Sequence, residues 1–211
     1  VSTPVTMQAT HHQAKRRPSL PKKKTRSAFS PKSKLELKNA VDTLLMLSSQ
    51  GDIFDGPHGP IREWDVSRIT DMRDMFCDAN FFNGDISKWD VSRVTTMDSM
   101  LLNAMSFTRD ISKWDVSKVK DMCDMFNGAT DFNCDLSKWD VSKVSDMDGM
   151  FHNAPAFNSE LSKWDVSRVN TMVRMFYGAK LFNGNPSNWN VSRVNNMMAM
   201  FCGVEPFNGD L

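Results

Sequence analysis

A right-handed α/β repeat solenoid, a stack of short parallel strands and helices, is the fold class the sequence predicts. Three observations predict it. Tryptophan recurs at a fixed step, at Trp64, Trp89, Trp114, Trp139, Trp164 and Trp189. Around each tryptophan the apolar residues first alternate with polar ones and then space themselves by three and four. The 211 residues, 40% apolar and 24% charged, are enough to bury a core and are not of disordered composition. Self-similarity of this kind marks an array whose units cannot fold alone and must cover one another.

Residues 1–32 come first and read as a basic extended arm. The formal net charge of +1 conceals an asymmetry. Residues 1–40 hold ten Lys/Arg and one acid, Glu36, which leaves sixteen bases and twenty-four acids in the rest. Lys15, Arg16, Arg17, Lys22, Lys23, Lys24 and Arg26 form the arm's partner-binding candidates. Pro4, Pro18, Pro21 and Pro31 and the scarcity of large apolar groups deny the arm a core of its own. Such a segment suits an acidic protein or a lipid surface. A solvated tail, or an import remnant in a chain that opens on Val1, fits the same composition.

Residues 33–60 read as a capping helix and loop. Ser33-Lys-Leu-Glu36 after Pro31 is a capping-box pattern. Leu35, Leu37, Val41, Leu44, Leu45 and Leu47 then mark an amphipathic helix that stops near Gly51 and covers the first repeat. The run Leu44 to Leu47 is the longest aliphatic stretch, far too short to cross a bilayer.

Residues 61–211 hold six units of 25 residues. In Ile86-Ser-Lys-Trp89-Asp-Val91, the inward residues alternate with outward ones, which predicts a short strand. From Val94 the apolar residues are Met97, Met100, Leu101, Ala104 and Phe107, the spacing of one helix face, with Ser92 as N-cap. The six tryptophans are the expected structural core. Burying one removes about 150–250 Å² from water, worth roughly 4–6 kcal/mol at most. Twelve of the sixteen methionines sit in two columns of the same period, where a flexible thioether fills gaps between layers.

Outside the core, Asp65, Asp90, Asp115, Asp140, Asp165 and Asn190 form an outward column. Lysines and arginines flank it on both sides, so the face is expected to neutralise itself. A carboxylate row raises calcium, but identical aspartates beside lysines make a poor oxygen cage. In the last repeat charge falls and apolarity rises. Tyr177, Met198, Pro206 and Leu211 are therefore the candidate partner-binding residues of the C-terminal repeats. Leu211 stands in the Ile86 column, so a partner or further chain is expected over the last layer.

Catalytic chemistry is not expected. Cys77, Cys123, Cys134 and Cys202 form no Cys-x-x-Cys pair, and those that share a column lie five repeats apart. The four histidines pair with no nucleophile in a recurring way, and no phosphate-cradling glycine motif is present. No cofactor and no metal follow from these residues.

The string Trp-Asp-Val-Ser-x-Val-x-x-Met-x-x-Met-Phe-x-x-Ala-x-x-Phe-Asn-x-Asp-Ile-Ser resembles the BspA-like surface-protein repeat. This is the mycoplasma-type lipoprotein repeat of unknown function, common also in marine algae. The resemblance covers about residues 35–211 and extends to the leucine-rich-repeat signature, with Trp and Val in leucine positions. It implies a solenoid without catalytic activity, several members being surface or adhesion proteins. The chain departs from the family by its basic arm and by lacking a lipoprotein cysteine at its start. Together with the algal occurrence, this leads to an expected function: a non-enzymatic adapter, an accessory subunit of a larger assembly. Protein subunits are the expected partners, with an organelle (a plastid, at a photosynthetic membrane complex) as the expected place. Cell-surface adhesion is the second reading. Nucleic-acid binding through the arm is the third, disfavoured by the acidic body and the lack of interleaved aromatics.

Overall fold

The computed structural model describes residues 28–53 and 56–205. Among them are one α-helix, α1 (Lys34–Leu47), a three-residue 3-10 turn (Ile61–Glu63), and five isolated parallel bridges in place of strands. The expected α/β repeat solenoid of leucine-rich-repeat type is therefore corrected. Among the described residues the repeats contain no α-helix and no sheet.

α1 forms where its pattern placed it. Ser33 accepts a hydrogen bond from the Glu36 amide. The Glu36 carboxylate reaches back to the Lys32 amide at 2.8 Å, one residue before the position a capping box uses. Leu37, Ala40, Val41 and Leu44 are buried, whereas Leu35 and Leu47 are exposed. The helix packs at the open side of the first repeat. Phe29 meets the Trp64 ring edge-on, and Lys34 pairs with Asp71 at 3.1 Å. Burial pushes the Asp71 carboxyl up, but hydrogen bonds from Arg73 and Lys34 outweigh it and hold the pKa at about 2.

Within the repeats the backbone alternates its donors. In the third layer the amides of Met122, Asp124, Phe126 and Gly128 donate to carbonyls of the fourth, those of Asp146, Asp148, Met150 and His152, at 2.7–3.1 Å. The amides between them, those of Met125, Asn127 and Ala129, close turns onto Met122, Asp124 and Phe126. The Ser145 amide returns one bond to Lys120. This set recurs between every pair of neighbouring layers.

Such a pattern forbids an α-helix, in which each amide reaches four residues back. It also needs a left-handed residue at every fourth position. Asp124 has φ 50° and Gly128 φ 71°, each the third residue of a turn, as type II turns demand. Each turn advances three residues, so Met122, Met125, Phe126 and Ala129 all point inward and are fully buried. Steps of three and four thus arise from turns. The stretch expected as a strand is likewise two turns, Trp139 closing on Leu136 and Val144 on Val141. Ser92 caps no helix; its amide donates to Asp90 at 3.0 Å.

The six tryptophans are interior, between 3% and 8% exposed. Five indoles donate to the preceding layer's closing carbonyl: Trp89 to Ile61, Trp114 to Ile86, Trp139 to Ile111, Trp164 to Leu136 and Trp189 to Leu161, at 3.0–3.2 Å. Each of these carbonyls also accepts the amide of its own layer's tryptophan, so the ring supplies apolar area and a second donor across the layers, which Phe could not. Phenylalanines form a second pile, with Phe132 and Phe157 6.0 Å apart and 5° from parallel.

Candidate functional site

Every layer lends its amides to the next, and among the described residues no layer follows the sixth. Among the described residues, Met197, Ala199 and Gly203 hold the donor register and find no acceptor. Side chains that are covered elsewhere are bare here. Val166 and Met172 are buried, but their sixth-layer counterparts Val191 and Met197 are 37% and 45% exposed. The indole of Trp189 forms the floor, stacked on Trp164 at 6.4 Å. Together with Ala199, Phe201 and Cys202 they line a recess of about 560 Å³. It presents an apolar floor rimmed by parallel backbone donors.

The structure brings only part of the expected site to this place. Met198 is exposed beside the recess and does not line it; its amide turns back to the Asn196 side chain at 3.0 Å. Tyr177 belongs to the fifth layer, half-buried, with its ring edge-on to His152 at 5.0 Å. Pro206 and Leu211 lie outside the described residues, as do Lys15, Arg16, Arg17, Lys22, Lys23, Lys24 and Arg26 of the arm. The residues that sequence reasoning missed are the inward ones, Val191 and Met197. Their signal was positional: an inward column needs a layer above it, and the sixth layer has none among the described residues.

Along the flank the carboxylates serve the backbone. Asp115, Asp140 and Asp165 each accept the amide of the serine two residues on, at 3.0 Å. Hydrogen bonds from Ser117 and Ser167 hold Asp115 and Asp165 below the ordinary carboxylate range. These groups are turn staples.

The thiols of Cys77, Cys123 and Cys134 are held in the protonated, weakly nucleophilic form. Burial first, then neighbouring aspartates, pushes Cys77 and Cys134 up to about 11 and Cys123 higher still. Burial lowers His152. Among the described residues no group of three or more His, Cys, Asp or Glu is placed to hold a metal ion. No described helix is long and apolar enough to cross a membrane.

The profile of the family described as "Mycoplasma protein of unknown function, DUF285" matches this chain twice, over residues 47–155 and over residues 109–211. No curated protein and no solved structure matches it.

Proposed function

The chain belongs to this repeat family, whose description assigns no activity, and from that premise we propose that it is a non-enzymatic scaffold that joins a larger protein assembly end-on. The observation that carries the reading is the uncovered sixth layer. Its amides and apolar floor repeat the surface that each earlier layer offers to the next. The occupant is a seventh layer in the same register, supplied by a partner subunit. It offers carbonyls at alternate residues and apolar side chains over Trp189, Val191 and Met197. Backbone pairing supplies the affinity, and the pocket side chains supply the choice of partner. The basic arm is the second contact in this reading, against an acidic protein or lipid surface. The assembly is organellar where the algal occurrence of similar repeats is the guide.

Retention of the full chain in its native assembly tests the proposal. Val191→Asp and Met197→Asp place charge on the apolar floor and are expected to release the chain at least tenfold more readily. Met46→Asp is the control, at an exposed position of α1. Equal retention of all three variants overturns the proposal. So does loss of stability in the two floor variants without loss of retention, the result expected if the chain's own continuation covers the layer.

A further inference from the structure

A second surface runs along the flank and is independent of the uncovered end. One outward column is cationic in every layer: Arg68, Arg93, Lys118, Lys143, Arg168 and Arg193. Beside it, Lys120, Ser145 and Asn170 form the next column, and the two enclose an open groove of about 460 Å³ between the third and sixth layers. Lys120, Lys143, Arg168 and Arg193 line this groove, and no carboxylate does.

Along this row the charges of the flank offset one another only across space, without direct ion pairs. None of these four cations is within 4.0 Å of a carboxylate among the described residues. In the neighbouring column Asp115, Asp140 and Asp165 turn toward serine amides and keep their charge, so Lys143 acts on Asp115 and Arg168 on Asp165 without contact. The next acidic column also fades toward the C-terminal end, where Asp121 and Asp146 give way to Thr171 and Asn196. What is left is a straight line of like charges, one per layer, about 4.8 Å apart where neighbouring backbones pair in parallel. Like charges held at that spacing repel, and an anion laid along them relieves the repulsion.

We propose that this groove binds a linear sulfated polysaccharide, its sulfates lying along the Lys143–Arg168–Arg193 row. Three features select this class. Charges recur once per layer, so the ligand must carry closely repeated anions, as a chain sulfated at several hydroxyls of each sugar does. An extended acidic peptide repeats a same-side carboxylate only about every 7 Å and falls out of step. The groove has no aromatic residue on which a nucleobase could stack, which disfavours single-stranded nucleic acid. Ser145 and Asn170 add neutral polar groups of the kind that hydroxyls use.

The test is a binding titration of the full chain with size-defined dextran sulfate, with unsulfated dextran and a single-stranded RNA as comparison probes. It is run in wild type and in a background with Lys15, Arg16, Arg17, Lys22, Lys23, Lys24 and Arg26 replaced by Gln, which silences the arm. The arm-silent chain is expected to keep salt-sensitive binding to dextran sulfate and to ignore dextran. Adding Lys143→Gln, Arg168→Gln and Arg193→Gln is expected to weaken that binding at least tenfold and to flatten its salt dependence. Adding Lys113→Gln, Lys138→Gln and Lys163→Gln, on the other flank, is expected to change it less than threefold. The proposal is overturned if the arm-silent chain does not bind, if both triple variants weaken it alike, or if RNA binds more tightly than dextran sulfate. Circular dichroism of each variant confirms that the fold is retained before the affinities are compared.

Discussion

Trp139→Ala is expected to cost about 3–5 kcal/mol, the largest effect of any single truncation in the repeats. Its ring is 4% exposed, stacks on Trp114 at 6.5 Å and leans on Phe126 at 6.3 Å. Removing it leaves a cavity between three layers, because backbone bonds on both sides stop the layers from closing up. It also removes the second of the two hydrogen bonds that the Ile111 carbonyl accepts, the indole N–H at 3.2 Å beside the Trp114 amide at 3.1 Å. Because the carbonyl keeps its backbone partner, losing the indole bond adds only about 0.5–1.5 kcal/mol, partly included in that range. Trp139→Phe separates the two contributions by keeping most of the area and losing the donor. Lys138→Ala, next in sequence and exposed, should change stability by less than about 0.5 kcal/mol. Urea unfolding followed by intrinsic fluorescence gives all three values. A loss below about 1 kcal/mol for Trp139→Ala would mean that the indoles are not the interior of the stack.

Gly128→Ala has a predicted sign opposite to the one that a helical repeat requires. In a helix interior, Gly to Ala stabilises by about 0.8–1.0 kcal/mol. Here Gly128 has φ 71°, where a Cβ costs roughly 1–2 kcal/mol. The added methyl would also stand 2.3 Å from Asn103 Oδ1, displacing a side chain that donates to Asp78 at 2.8 Å. Destabilisation by about 1–3 kcal/mol is therefore expected. Gly128→Asn should cost less, since Asn103 and Asn153 hold the same place at φ 56° and 50°. Asparagine tolerates the left-handed region by bonding its own neighbourhood. Thermal or urea unfolding of the two variants decides the matter, and a gain in stability for Gly128→Ala would contradict the turn architecture.

The same column explains why the fold was only half legible. The columns of Trp, Val, Met and Phe identify an interior reused layer by layer, and Ser33 to Leu47 identifies the helix at its end. What the apolar columns cannot separate is a helix from a train of turns, because both place Met122, Met125, Phe126 and Ala129 on one side. The discriminating signal stood among the polar residues. Asp78, Asn103, Gly128, Asn153, Gly178 and Gly203 recur at the same step and are residue types that accept positive φ. The period-two reading around Trp139 failed for a related reason. Lys138 and Asp140 do point outward and Trp139 and Val141 inward, yet their amides serve turns, so no ladder forms.

The candidate site was legible to the same partial degree. Falling charge in the last repeat pointed to the layer that holds the apolar recess. Outward residues such as Met198 and Tyr177 were singled out because a docking surface is ordinarily an outward one. In a stack whose layers cover one another, the last described layer exposes inward columns, so Val191 and Met197 line the recess. The flanking cations were read as neutralised because alternating charge columns imply pairing. Serine amides two residues along orient the aspartates, so the charges offset one another at a distance and form no direct pair, a local competition that a column of letters does not display.

The central claim is that alternate amides of each repeat bond to the following layer. Scalar couplings across hydrogen bonds, read by NMR on the isotope-labelled chain, test it most directly. The account predicts a coupling from the Phe126 amide to the Met150 carbonyl and from the Phe151 amide to the Met175 carbonyl, pairs that stand 2.9 and 2.8 Å apart. Couplings from the Phe126 amide to Met122, and from Phe151 to Met147, four residues back, would contradict it and restore the helix.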